Sequence, residues 1–231
     1  MTTRILLVRH GSTTLTVEDR FAGSTDVPLS DEGRHQARCL ADRLADFSLG
    51  AVYASPMRRT LDTAAIVAEP HGLSARAMPG LREIDHGHWE GLQRAEVEAR
   101  FPDEYASWEA DPFTFAPGGG ESGLNVLARA LPVIREIVLE HAGETVLVVS
   151  HKATIRLLIG SLLGFDVRGY RDRLDQLPAC LNVLDFKDAV RARLMLFNDT
   201  SHYENVPRAD RIAHLSKWWD PPAGRPEGPN T

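Results

Sequence analysis

Cysteine is almost absent from this chain of 231 residues: Cys39 and Cys180 are the only two, and neither sits in a CxxC or His-Cys spacing. That excludes a disulfide framework and a structural zinc site, and two reduced thiols are the expected state. No Lys/Arg-rich run is present, and 26 basic against 32 acidic residues leave a net charge of −6. The electrostatic footprint of a nucleic-acid binder is therefore missing, and any anion site must be a local concentration of arginines. No apolar run approaches the length of a membrane span. The amino terminus enters a strand-like run by residue 4 without a segment of signal-peptide length, so the cytoplasm is the expected location.

At 43% hydrophobic residues the chain can bury one sizeable core, and no shift of composition marks a second domain within residues 1–219. The last segment, 220–231, is rich in proline and glycine and reads as a disordered tail. Three short apolar runs each end in polar, chemically capable residues. Ile5-Leu6-Leu7-Val8 leads into Arg9-His10-Gly11, Ala51-Val52-Tyr53-Ala54 into Ser55-Pro56-Met57-Arg58-Arg59, and Val146-Leu147-Val148-Val149 into Ser150-His151-Lys152.

Helical signals alternate with these runs. Ser30 reads as an N-cap, with Ala37, Leu40, Ala41 and Leu44 forming an apolar stripe behind it. Ser55-Pro56 reads as an N-cap and first helical residue of a helix through about Ala68, and Ala153 to Leu163 is an almost wholly apolar helix ending at Gly164. Residues 12–29 lack a sustained period and are expected to be a long loop; the runs 181–186 and 192–197 are expected to form a late hairpin or edge pair. The fold class that follows is α/β, a mostly parallel sheet with helices on both faces. An aromatic-rich stretch, 86–121, is expected to be a short helical insert over the edge where the site lies.

In such sheets ligands bind outside the carboxyl ends of the strands, so the three run ends are expected to converge on one site. Two histidines with adjacent arginines suit phosphoryl chemistry. A neutral imidazole can attack phosphorus, guanidinium forks can hold the equatorial oxygens, and an acid must protonate the leaving group. Arg9 and Arg59 fit the cationic role, His10 and His151 the imidazoles. A metal is disfavoured, because the arginines repel a divalent cation and no carboxylate stands at ligand spacing with the histidines. Among Glu83, Asp85 and Glu90 the residue types alone do not choose the acid.

Arg9-His10-Gly11, Phe21-x-Gly23-x-x-Asp26-x-x-Leu29-Ser30, Ser55-Pro56-x-x-Arg59-x-x-x-Thr63-Ala64, Leu81-x-Glu83-Ile84-x-x-Gly87-x-Trp89-Glu90-Gly91, Gly119-Gly120-Glu121-Ser122 and Ser150-His151 occur in this order. Together they resemble the histidine phosphatase superfamily, which includes the cofactor-dependent phosphoglycerate mutases, over residues 4 to about 186. The resemblance implies a metal-independent phosphomonoesterase without a cofactor, acting on a small phosphorylated metabolite. It implies His10 as the phosphorylated nucleophile, Arg9, Arg59 and His151 as the phosphate pocket, and Glu83 as the proton donor. Two positions depart from the family's pattern: Thr16 replaces the usual asparagine and Lys152 the usual glycine. Ser12, Thr16, Gly23, Lys152, Trp89 and Phe113 are candidates for substrate contact, although aromatics such as Trp89 are more often core.

Two alternatives stand beside the phosphatase. A phosphoglycerate mutase would return the phosphoryl group to a second hydroxyl, but the interval from Glu83 to His151 is short for that branch. A non-catalytic phospho-ligand or protein-interaction module would have lost a motif residue, and none is lost here. A homodimer is compatible with the sequence, and the identity of the substrate is not legible in it.

Overall fold

The computed structural model describes residues 2–17 and 20–204, with the side chains of 16 and 17 outside the description. The Thr16 side chain and the tail at 220–231 thus lie outside the described residues. A six-stranded sheet runs in the order β3-β2-β4-β1-β5-β6, where β1 is Thr3–Arg9, β2 Ala51–Ala54, β3 Ala75–Ala77, β4 Thr145–Ser150, β5 Leu181–Phe186 and β6 Ala192–Asp199. The first four strands in that order are mutually parallel; β5 pairs antiparallel with β1, and β6 antiparallel with β5. The expected mostly parallel α/β sheet and its late hairpin are both present.

Strand side chains alternate between two apolar layers, as the period of two requires. Ile5, Leu7, Tyr53, Val146 and Val148 face one side and pack with α6 (Gly123–Glu140) and α7 (Lys152–Leu162) through Ile134, Ile137, Ile155 and Ile159. Leu6, Val8, Val52, Leu147 and Val149 face the other and pack with α2 (Asp31–Leu44) and α3 (Arg58–Ala68) through Leu40, Leu44, Ala64 and Val67. The Ser30 hydroxyl caps α2 by accepting the Gly33 N–H at 3.1 Å. At α3 the boundary differs from the sequence reading: the helix starts at Arg58, with Met57 in the cap position and no side-chain cap. The Ser55 hydroxyl is directed to the His151 ring instead, at 2.8 Å.

The loop after β1 contains one short helix, α1 (Thr14–Val17). The insert carries α4 (Arg94–Arg100) and α5 (Pro102–Ala110) and builds an apolar cluster of its own from Trp89, Val97, Tyr105 and Trp108 around Phe21. A bridge between Arg20 and Gln93 ties it to the loop that follows β1, which sets it over the carboxyl ends of the strands. A last short helix, α8 (Tyr170–Arg173), precedes β5. No helix among the described residues is long and apolar enough to cross a membrane.

Ile134 is 1% exposed and sits in the α6 layer. Ile134→Ala should cost about 2–5 kcal/mol, the range for deleting buried methyl groups without collapse of the cavity. Phe47→Ala, at a side chain that is 40% exposed, should change stability by under about 0.5 kcal/mol. Urea denaturation of the two variants checks the contrast.

Candidate active site

The site is assembled by strand register. Arg9 of β1 lies opposite Ser150 of β4, so the next residue of each strand, His10 and His151, emerge side by side, and their ring centroids are 5.2 Å apart. On the far side of β4, Ala54 of β2 lies opposite Val149, which sets Ser55 next to Ser150. Three run ends distant in sequence thereby share one crevice. Arg9, His10, Arg59 and Glu83 line a cavity of ≈ 150 Å³ there, whereas His151 is fully buried just behind its wall.

His10 Nδ1 lies 2.7 Å from the Gly11 carbonyl oxygen. A carbonyl can only accept, so Nδ1 carries the proton and Nε2 keeps its lone pair. Burial first, then the Arg59 and Arg9 charges, hold the pKa of His10 well below the ordinary imidazole value. The ring is thus a neutral base at physiological pH. His151 is lowered in the same way, by burial and then by Arg59 and His10. Its Nδ1 accepts from Arg59 Nε at 3.3 Å and its Nε2 lies 2.8 Å from Ser55 Oγ. Both ring nitrogens are engaged within the protein, so His151 orients Arg59 and does not itself present a donor to the cavity.

Arg59 is 2% exposed, and its remaining hydrogen bonds go to backbone carbonyls, Thr25 at 2.7 Å and Gly23 at 2.9 Å. Arg9 donates to the Gln176 carbonyl at 2.6 Å, while its buried Nε has no partner. Neutral acceptors fix both guanidinium groups without cancelling their charge. A buried cation of this kind favours an anion beside it.

The three acidic residues that sequence left open have separate tasks. Glu90 accepts from the backbone N–H groups of Gly23, Ser24, Thr25 and His86 and from the Thr25 hydroxyl, so it shapes the loop whose carbonyls hold Arg59. Asp85 accepts from the Ser24 hydroxyl and the Gly87 N–H. Glu83 alone of the three lines the cavity. It sits at the first turn of α7, accepting from the N–H groups of Ala153 at 3.1 Å and Thr154 at 3.2 Å. Arg129 grips the approach to it by donating to the Gly80, Arg82 and Glu83 carbonyls, and is itself paired with Glu121 of the Gly-Gly-Glu-Ser motif at 2.7 Å.

The remaining sequence candidates divide. Lys152 reaches the cavity wall. Gly23 contributes its carbonyl to Arg59, and a Cβ at this position would collide with the Ile84 carbonyl. Ser12 is buried, its backbone tied to Gln36 and Ser30 at the start of α2. Trp89 is fully buried within the aromatic cluster, and Phe113 packs against Ile84, Val126, Leu157 and Tyr170; neither lines the cavity. The glycine of Arg9-His10-Gly11 answers to helix packing, since a Cβ on Gly11 would strike the Gly33 carbonyl of α2. The walls also include His86 and Trp108, from the stretch read as an insert over the site edge, and Arg156 and Arg171, which sequence reasoning missed. A lone arginine inside the apolar α7 run was the available signal for Arg156.

Comparison with known proteins agrees with this geometry. The sequence profile of the histidine phosphatase superfamily (branch 1) matches residues 5–200. The chain is 35% identical over 164 residues to phosphoserine phosphatase 1 of Hydrogenobacter thermophilus, covering 71% of this chain and 78% of that protein. It is 34% identical over 171 residues to glucosyl-3-phosphoglycerate phosphatase of Mycolicibacterium vanbaalenii, covering 71% and 76%. The solved structure of Bacillus stearothermophilus YhfR superposes with a TM-score of 0.82 at 32% identity, covering 87% of this chain and 100% of that one. The chain belongs to the histidine phosphatase superfamily, and it is an enzyme of the phosphoric monoester hydrolase class.

Buried neutral histidines make stability depend on pH with a definite sign. The folded pKa values of His10, His151 and His86 all lie below the ordinary one, chiefly through burial, and His202 is pushed down to about 4 by burial and then by Arg43. Unfolded histidines titrate near 6.5, so below about that pH the unfolded chain binds more protons than the folded one. The stability they confer is complete above about pH 6.5 and is lost progressively as pH falls toward the folded values. The urea midpoint should drop between about pH 7.5 and about pH 5; a midpoint that holds or rises over that interval contradicts the assignment.

Proposed function

We propose that this enzyme hydrolyses small phosphate monoesters through a phosphohistidine formed on His10, without a metal. One observation carries the reading: a neutral imidazole with its Nε2 lone pair free stands beside two buried guanidinium groups whose charges are not cancelled by carboxylates. The relatives named for phosphoserine and for glucosyl-3-phosphoglycerate support a small phosphorylated metabolite as substrate. We also place the enzyme in the cytoplasm, in keeping with the unpaired state of Cys39 and Cys180.

In the first half-reaction His10 Nε2 attacks phosphorus and the bond from phosphorus to the ester oxygen breaks. Arg9 and Arg59 hold the equatorial oxygens, where the transition state spreads its charge. Glu83 gives its proton to the departing alkoxide, which leaves as the alcohol. The Gly11 carbonyl, already holding Nδ1–H, stabilises the positive ring formed by N–P bonding. In the second half-reaction Glu83, now a carboxylate, takes a proton from water as the water oxygen bonds to phosphorus and the N–P bond breaks. Inorganic phosphate leaves and the neutral imidazole returns. His151 acts through Arg59, as a positioning residue.

His10→Ala should leave a folded protein without detectable hydrolysis. Quenching the wild type with labelled substrate should trap an acid-labile, base-stable adduct on His10. Label on a serine, or full activity of the variant, sinks the mechanism. With 3-phosphoglycerate, free phosphate should be released faster than 2-phosphoglycerate appears; the reverse order would make the enzyme a mutase.

Glu83→Gln keeps the shape of the side chain and removes the acid. For an alkyl ester the loss should be about 10²–10⁴ in rate, the usual worth of a positioned proton donor. For p-nitrophenyl phosphate, whose phenolate departs unaided, the pre-steady-state burst should slow far less. Equal losses in the burst for the two esters would remove Glu83 from the acid role.

A further inference from the structure

One group in the cavity is not used by the reaction as derived above. Arg156 projects from α7 into the same cavity as His10, with its side chain only 6% exposed. One of its nitrogens donates to Asp175 Oδ1 at 2.9 Å, while its buried Nε has no hydrogen-bond partner. Arg9 and Glu83 both lie within Coulomb reach of it. An Arg at this depth, lining a cavity and with one nitrogen of its fork unmatched, is a donor set for an oxyanion.

The neighbouring side chains narrow what that oxyanion is. The other cations of the wall away from His10 have partners of their own. Arg171 is paired with Glu109 at 3.4 Å and Asp172 at 3.0 Å and stacks 4.2 Å from the Trp108 ring centre, and Arg20 pairs with Glu96 at 3.6 Å. Lys152 and Arg156, four apart on one face of α7, both approach the carboxylate of Asp175, at 3.6 and 2.9 Å. Both side chains reach the cavity wall. A carboxylate fits the planar fork of Arg156, and a cavity of ≈ 150 Å³ that must also take the phosphoryl group favours the smaller anion.

We propose that Arg156, with Lys152, forms a second anion subsite on the leaving-group side, so that the preferred substrate is a small phosphate monoester that also bears a carboxylate. The subsite rests on the phosphatase reading and adds specificity to it. Lys152 stands where the family usually has glycine, which makes half of the subsite particular to this chain. The carboxylate anchors the alcohol end of the substrate while Arg9 and Arg59 hold its phosphoryl end, fixing the ester oxygen between His10 and Glu83.

Two esters test this directly. 3-Phosphoglycerate and glycerol 3-phosphate share one skeleton and differ by a carboxylate in place of a hydroxymethyl group. The ratio of their kcat/KM values on one preparation does not depend on how much of it is folded. The wild type should favour 3-phosphoglycerate by about 10- to 100-fold, the range of a charge-assisted hydrogen bond. Arg156→Met should bring the ratio to about one, and Arg156→Lys should retain part of it. Lys152→Gln, at a side chain that is 26% exposed, should cut the ratio severalfold and serves if Arg156→Met does not fold. Asp175→Asn removes the counter-charge and should raise the ratio. A wild-type ratio near one, or a ratio that neither Arg156→Met nor Lys152→Gln moves, overturns the subsite while hydrolysis of both esters leaves the phosphatase reading standing. Absence of phosphate release by the wild type from these esters and from p-nitrophenyl phosphate would overturn that reading, and the subsite with it.

Discussion

The parallel pairing of β1 with β4 is the constraint on which the rest depends. With Arg9 opposite Ser150, the two histidines leave the sheet as neighbours, and the start of α7 is set beside the end of β1. A slip of one residue would turn Ile5 and Leu7 from the α6 and α7 layer into the α2 and α3 layer and send Arg9 to the wrong face. The apolar alternation that fills both layers therefore also aims the chemistry. Core packing and catalytic geometry are one specification here.

That specification buries positive charge, which is costly in a low dielectric. Arg9 and Arg59 are held by the carbonyls of Gln176, Thr25 and Gly23, acceptors that satisfy N–H groups without cancelling charge. The same cations help keep His10 and His151 neutral. An arrangement that weakens the protein at low pH is what makes a nucleophile available at neutral pH. Carboxylates are kept to positions where they organise or react: Glu90 knits the loop that bears two of those carbonyls, and Glu83 is anchored on the first turn of α7.

The insert gives the crevice its outer wall without joining the sheet. Trp89, Tyr105 and Trp108 close around Phe21, so the loop after β1 is clamped from above by aromatic packing and from the side by Glu90. Trp108 lines the cavity and carries Arg171 over its ring. Selectivity is accordingly divided between this wall and α7, where Lys152, Arg156 and Asp175 stand.

By itself the sequence determined the strand ends, the two-sided α/β plan and the residue types for phosphoryl transfer. The continuous apolar runs at 5–8, 51–54 and 146–149 and the stripe from Ala37 to Leu44 are local patterns, and burial of both strand faces and of one helix face dictates them. Only the tertiary structure decided which acid faces the cavity, because Glu83, Asp85 and Glu90 lie within one loop and differ in what packs against them. It moved Ser55 from a helix cap to the ring of His151, placed Trp89 and Phe113 in packed clusters, and brought Arg156 to the wall. Each of those outcomes turns on where a side chain points relative to an element distant in sequence. Periodicity reports burial along one segment; the partner across the crevice is set by strand register and helix packing.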